Sequence, residues 1–278
     1  MIVNRIILAL QPYLALAANV AYDMNSSIKG LNKSLKQNIS FKESCSDKKG
    51  FILLNAPGAD QYDLRTLMNT VFVSANYGYK HPQYEALKPK YHVIIDNKLL
   101  DGLWPMSMLE EIHNINPTVV FVLNYKWAGL KKFKEIEGKY NVMWVSTNKI
   151  FHKWYRRPID LTKTNAGCSA FGTCLNTLIY SGCKEINILG MQANGLAYEL
   201  TNTKSHFFGE NPDKGYETLN IIISSLISMA FTLRGLANTA AFCKHHGIQV
   251  TNLTSGGIAK MFHNKSFEDF IKENNSEQ

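Results

Sequence analysis

The chain has 278 residues, 45% of them apolar, and a net charge of +8 from 30 Lys and Arg against 22 Asp and Glu. That apolar share excludes a globally disordered chain and suits one large domain, alone or with a small appendage. The basic balance favours anionic partners such as nucleotides or lipid headgroups. The basic runs at 88–90, 131–134 and 156–157 are short and scattered and form no nucleic-acid module, so no nucleic-acid partner is expected.

Residues Ile2 to Ala21 are mostly apolar but are interrupted by Gln11, Pro12 and Asn19. A spanning helix needs ~20 predominantly apolar residues, so the segment is a poor span. Three readings stay open: a signal peptide with an Ala15-Leu16-Ala17 site, an amphipathic helix on a membrane surface or an oligomer partner, and a helix docked on the chain's own core. Residues 25–49 are rich in Ser, Lys and Asn and read as a linker with a weak helix. Residues 1–49 are therefore set apart as an N-terminal helical or linker extension from one main domain over residues 50–278.

That domain opens on a buried strand, Phe51-Ile-Leu-Leu-Asn55. Strand-like runs follow at 71–74, 91–96, 119–123, 142–145, 185–189 and 248–253. Helical patterns lie at 106–113, 127–137, 167–180 and 216–246, the last with an expected break near Arg234-Gly235. The charged tail after His263 reads as one surface helix that frays. Short apolar strands alternating with helices predict an α/β, Rossmann-like fold, with a mostly parallel sheet covered on both faces. The five cysteines, Cys45, Cys168, Cys174, Cys183 and Cys243, are odd in number and lack C-x-x-C or zinc-ligand spacing. They imply a reduced, cytoplasmic chain, with Cys168 and Cys174 as small core residues.

Ligands of such sheets sit beyond the carboxyl ends of the strands. Those ends are Asn55-Ala56-Pro57-Gly58, Asn76, Asp96-Asn97, Asn124, Ser146-Thr147-Asn148, Gly190-Met191-Gln192 and Asn252. Asn supplies a donor and an acceptor together, which suits a base, a ribose or a sugar, although it is also a common turn residue. Asn55-Ala56-Pro57-Gly58 is neither a dinucleotide fingerprint nor a P-loop. Asn165-Ala166-Gly167, preceded by Thr164, opens a small-residue helix, where unpaired backbone N–H groups favour a phosphate or carboxylate. No Asp-x-Asp occurs, so no metal is expected to hold a diphosphate, and no cofactor is expected. Ser205-His206-Phe207-Phe208-Gly209-Glu210 places an imidazole and a carboxylate near each other, either able to serve as a general base.

Together these residues resemble the bacterial lipooligosaccharide sialyltransferase family and its motility-accessory and capsule-synthesis relatives. The likeness runs patchily from about Phe51 to Asp213. It rests on Leu54-Asn55-Ala56-Pro57-Gly58 with Tyr62-Asp63-Leu64, on Asn76, and on Asn165-Ala166-Gly167. It continues through Gly182-Cys-Lys184-Glu185-Ile186-Asn-Ile-Leu-Gly190, the Asn194–Tyr198 segment, and Ser205 to Glu210. The resemblance implies a CMP-linked nine-carbon acidic sugar as donor, no metal, and inversion at the anomeric carbon. It gives Tyr198 the leaving phosphate and puts the base position at Glu210, where the family has His; Gln192 stands where the family often has Asp. The expected acceptor is a glycan or glycolipid of surface polysaccharide synthesis, and the basic charge and the 2–21 segment add peripheral contact at the inner membrane face and a homo-oligomer as further expectations. A pterin pyrophosphokinase-like enzyme, which would need magnesium held by carboxylates such as Asp96 and Asp101, is an alternative. A non-catalytic nucleotide-binding scaffold in glycan assembly is another.

Overall fold

The structure, a computed structural model, describes residues 17, 20, 21, 24, 25, 27–67, 69–147, 159–163, 169–193, 201, 204, 206–209, 219–257 and 260–276. Among the described residues eight strands form one sheet: β1 (Lys49–Leu53), β2 (Thr70–Ala75), β3 (Tyr91–Ile94), β4 (Val120–Asn124), β5 (Asn141–Val145), β6 (Glu185–Leu189), β7 (Gln249–Asn252) and β8 (His263–Asn264). Their order is β5-β4-β3-β2-β1-β6-β7-β8, and every pairing is parallel. The expected α/β, Rossmann-like architecture is therefore present. The first seven strands fall where the sequence places them. The eighth, a two-residue exposed edge strand, carries no apolar run and was not expected.

The α-helices whose bounds lie among the described residues are α1 (Asn32–Lys36), α2 (Tyr84–Leu87), α3 (Asn97–Leu100), α4 (Ser107–Ile115), α5 (Lys131–Lys139), α6 (Ala170–Tyr180), α7 (Leu219–His245) and α8 (Phe267–Ser276). Strand side chains alternate between two cores, because successive Cβ atoms leave opposite faces. Ile52, Val71, Val73, Val93, Val122, Met143 and Val145 pack with Leu175 and Leu178 of α6 and Leu236 of α7. On the other face Phe121, Leu123 and Trp144 meet Met108 and Ile112 of α4 and Phe133 of α5. Phe51, Leu53 and Phe72 meet Phe267 and Phe270 of α8. Both faces being covered explains why the strands read as continuous apolar runs.

Three expectations change. The helix over 219–245 is continuous through Arg234-Gly235. A mid-helix glycine costs about 1 kcal/mol, and here Gly235 is buried beside Leu236, where packing outweighs the propensity. The tail helix α8 is present and largely exposed, as expected of a surface helix, but one face of it packs on the core through buried Phe267 and Phe270. The polar segment 25–49 also contributes to the core. Leu35 is 1% exposed, and buried Asn38 donates from Nδ2 to Trp144 O at 2.6 Å and to Leu161 O at 2.7 Å. Cys45, Cys174, Cys183 and Cys243 are buried and unbridged; Cys168 lies outside the described residues. Among the described residues no helix is long and apolar enough to cross a membrane.

Candidate functional site

The chain leaves β1 toward β2 on one side and returns at β6 on the other. The crevice beyond the carboxyl ends of β1 and β6 is therefore the switch point at which open α/β sheets bind ligands. The two loops meet closely there. Leu54 N donates to Leu189 O at 2.8 Å, and Ala56 N to Gly190 O at 3.2 Å. Gly190 has φ +84°, and a Cβ on it would overlap the Leu54 carbonyl oxygen. Glycine is thus required twice over, for its dihedral and for the close approach. Gly58 (φ +83°) then turns Pro57 into a 3₁₀ turn at Ala59–Gln61. On the β6 side, Met191 N donates to Thr254 Oγ1 at 3.0 Å and Gln192 Nε2 to Ser255 O at 3.1 Å. A Cβ on Gly257 would overlap the Gln192 backbone, so that glycine also defines the crevice wall.

The strand-end asparagines divide into two groups. Asn124 donates to Thr147 Oγ1 and accepts from Lys126 N, and Asn252 accepts from Thr254 N; both serve their own turns. Asp96 does likewise, capping α3 by accepting from Lys98 N at 3.1 Å. Asn55 and Asn76 differ. Asn55 Nδ2 donates to Ala75 O at 3.3 Å, but the side-chain oxygens of both residues are buried with no hydrogen-bond partner among the described residues. The same holds for the Ser74 hydroxyl near the end of β2, whereas the unpaired Ser146 hydroxyl lies at the far edge of the sheet, after β5. Gly78 closes this corner, because a Cβ on it would overlap Ser74 Oγ and stand 3.1 Å from Asn55 Oδ1. Buried acceptors left unpaired are costly, so a cluster of them at the switch point marks a place where a ligand can supply the missing donors.

A buried relay holds Asn76 in place. Asn76 has φ +53°, in the left-handed region. Its carbonyl can only accept, so His92 Nε2–H donates to it at 2.8 Å. The other ring nitrogen, Nδ1, then accepts from Tyr84 Oη at 2.8 Å. Burial lowers the His92 pKa to about 4 and raises that of Tyr84, so both are neutral near pH 7.

His206 reaches the same corner. Phe207 N donates to Asn55 O at 3.0 Å, and His206 and Gly209 form a small antiparallel bridge. Phe207 is buried against the β1 and β2 core, and the His206 ring stacks on Phe208 at 4.9 Å. Burial depresses the His206 pKa, the Lys98 charge adds to this, and a hydrogen bond to the Asn55 backbone opposes it. The ring is thus a neutral imidazole at pH 7, able to accept a proton. Tyr77 and Lys80 complete the rim, with Lys80 Nζ 4.8 Å from the Tyr77 ring centre and 5.6 Å from that of Phe208.

The structure therefore brings together Asn55, Ala56, Pro57, Gly58, Asn76, Gly190, Gln192 and His206. Asp96 stands at the next strand end as an exposed cap. Tyr198, Asn165, Ala166, Gly167 and Glu210 lie outside the described residues. Sequence reasoning missed Ser74, Gly78 and His92. A histidine inside the apolar run Tyr91-His92-Val93-Ile94 was the available signal, since a buried imidazole must find partners. Among the described residues no group of three or more His, Cys, Asp or Glu could hold a metal ion.

No family model matches the chain, and no curated protein matches it. Solved structures of glycosyltransferases do align with it. The MAf glycosyltransferase from Magnetospirillum magneticum aligns over 88% of this chain at 9% identity and a TM-score of 0.46. The aligned part is 41% of that protein, so this chain spans about two fifths of its length. The sialyltransferase CstII from Campylobacter jejuni, in complex with cytidine-5'-monophosphate, aligns over 79% of this chain and 85% of its own, at 14% identity and a TM-score of 0.46. The same enzyme with CMP-3FNeuAc gives 79%, 86%, 15% and 0.47. Likeness at these identities and scores concerns the course of the chain and assigns no chemistry.

Proposed function

We propose that the chain is a metal-independent, inverting glycosyltransferase that moves an acidic sugar from a CMP-sugar to a surface-glycan acceptor. The observation that carries this reading is the pair of unpartnered carboxamide oxygens, Asn55 Oδ1 and Asn76 Oδ1, at the switch point beside a neutral His206. Such acceptors suit the amino and hydroxyl donors of a cytidine nucleoside. The sequence resemblance supplies the donor class and the role of Tyr198.

In the proposed reaction the acceptor hydroxyl oxygen bonds to the anomeric carbon as the bond from that carbon to the phosphate oxygen breaks. The bonding pair leaves with CMP, whose phosphate takes a hydrogen bond from Tyr198 and from the segment Asn165-Ala166-Gly167, which precedes α6 and its N-cap Ser169 and does not itself open that helix. The hydroxyl proton passes to the base of the 206–210 segment. His206 supports that role by being neutral at pH 7, and Glu210 by its position in the motif.

The test is thermal denaturation with CMP, CTP, UDP and ATP, each with magnesium and with a chelator. Cytidine nucleotides should stabilise the chain with the chelator present, by ~2.7 kcal/mol at 100 times Kd. Asn55→Ala should remove most of that shift. Stabilisation by magnesium-bound diphosphate or triphosphate nucleotides alone would overturn the reading in favour of a pyrophosphokinase. Cytidine binding without turnover of any CMP-sugar would favour a scaffold.

A further inference from the structure

The amino ends of the parallel strands lie opposite the candidate site, and a cluster of reactive side chains stands there that the proposed reaction does not use. Cys45 lies between the 3₁₀ turn Gln37–Phe41 and β1, and Lys90 immediately precedes β3. Lys90 Nζ donates to Cys45 Sγ at 3.0 Å and to Ser44 Oγ at 3.2 Å. It also stands 5.4 Å from the centre of the Tyr91 ring. Tyr91 Oη hydrogen-bonds with Ser181 Oγ at 2.8 Å and with Ser44 Oγ at 3.4 Å. The backbone fixes both members of the Cys45–Lys90 pair. Cys45 N donates to Ser181 O at 2.7 Å, Lys90 N donates to Phe72 O at 2.9 Å, and Lys90 O accepts from Val120 N at 2.9 Å. An amine nitrogen is thus held against a sulfur by strands and loops far apart in the chain.

A lysine near the surface ordinarily turns to water or to a carboxylate. Among the described residues no carboxylate pairs with Lys90, and its half-buried side chain reaches inward to a cysteine that is 3% exposed. Ser44 and Ser46, on either side of Cys45, are exposed, so only a thin loop separates the sulfur from a small oxidant. Oxidation of a thiol to the sulfenic acid makes its sulfur electrophilic, and the sulfenic acid then condenses with a neighbouring thiol or nitrogen. Cys183 is the competing thiol here. Its Sγ donates to the Cys45 carbonyl oxygen at 3.8 Å and not to the Cys45 sulfur. Burial pushes the Cys183 thiol up to about 12, so it stays protonated, and a protonated thiol is a poor nucleophile. The nitrogen already in contact with the sulfur is the better placed partner.

We propose that Cys45 and Lys90 form an oxidant-triggered crosslink site, in which a peroxide oxidises Cys45 to the sulfenic acid and Lys90 Nζ then bonds to its sulfur. In the first step the thiol takes one peroxide oxygen, the sulfur gives up two electrons, and water leaves. In the second the Nζ–Sγ bond forms as the S–O bond breaks. The hydroxyl departs as water with one proton from the ammonium, and a second ammonium proton passes to solvent. The link ties the loop before β1 to the start of β3, and a thiol reductant reopens it. The inference does not depend on the reaction assigned above. The full chain treated with hydrogen peroxide and digested should yield the Cys45 and Lys90 peptides joined, at the sum of their masses less two hydrogens, and dithiothreitol should release them. Cys45→Ser and Lys90→Arg should each abolish the joined pair, and Cys183→Ser should keep it. In Lys90→Arg the sulfenic acid should persist and be trapped by dimedone. Oxidised parent should melt roughly 5–10 °C above oxidised Lys90→Arg, because the link closes a long loop in the unfolded chain. Cys45 left as a free thiol after peroxide, a Cys45–Cys183 disulfide as the main product, or a joined pair that survives in Lys90→Arg would overturn the proposal. The CMP-induced shift should be the same in Cys45→Ser as in the parent, and its loss in the parent chain would count against the donor reading alone.

Discussion

His92→Leu tests the relay behind Asn76 most sharply. His92 is fully buried and donates to Asn76 O while accepting from Tyr84 Oη. Leucine leaves both groups buried without this partner, at about 1–3 kcal/mol each, so about 2–6 kcal/mol in total near neutral pH. Acidification changes this difference with a definite sign. The folded pKa, about 4, lies below the ordinary 6.5. The unfolded chain therefore takes up a proton first as pH falls. The stability from a neutral His92 is full above 6.5 and is lost on the way down to 4, by roughly 3 kcal/mol over the window. At about pH 5 the parent chain has already lost about 2 kcal/mol of it, whereas the leucine variant has no such group to titrate. The gap between parent and variant should thus shrink by about 2 kcal/mol between about pH 7.5 and about pH 5. Urea melts of both chains across that range measure it directly. Burial also lowers the pKa of His81 and His206; these act with the same sign in both chains and cancel in the difference. A gap that stays constant with pH would refute the picture of a buried, neutral His92. The variant should also bind CMP more weakly at neutral pH, because Asn76 loses the contact that holds its left-handed backbone.

Three further outcomes are expected. Gly190→Ala should destabilise the fold by roughly 2–4 kcal/mol in urea melts and abolish the CMP-induced shift, since its Cβ would overlap Leu54 O at a positive φ. Leu35→Ala should cost about 2–5 kcal/mol, and deletion of residues 1–40 more, because Leu35 and Asn38 are buried against β5; a truncated chain with an unchanged melting temperature would refute that packing. His206→Ala or Glu210→Gln should lower kcat by ~10²–10⁴-fold with CMP affinity nearly unchanged, and intact turnover in both would show that the segment is structural; Tyr198→Phe should weaken leaving-group stabilisation instead.

The strands and most helices were legible in the amino-acid order, because each buried strand is a short apolar run and local periodicity is enough to reveal it. So was the concentration of asparagines at strand ends. Pattern alone could not say which asparagines serve their own turns. Asn124 and Asn252 find partners within or beside their loops. Asn55 and Asn76 keep free carboxamide oxygens because of the strands that happen to lie next to them. Strand order is decided by long-range pairing, so the switch point between β1 and β6, and the contact of Gly190 with Leu54, emerge in three dimensions only. The polar segment around Leu35 and Asn38, the continuous helix through Gly235 and the buried face of α8 were misjudged for one common reason. Local composition reads propensity, whereas burial depends on which distant surface an element meets. By itself the sequence determined the elements and the residue types offered for chemistry. Tertiary packing decided which of those residues face one another with unmet hydrogen bonds, because such partners come from strands far apart in the chain.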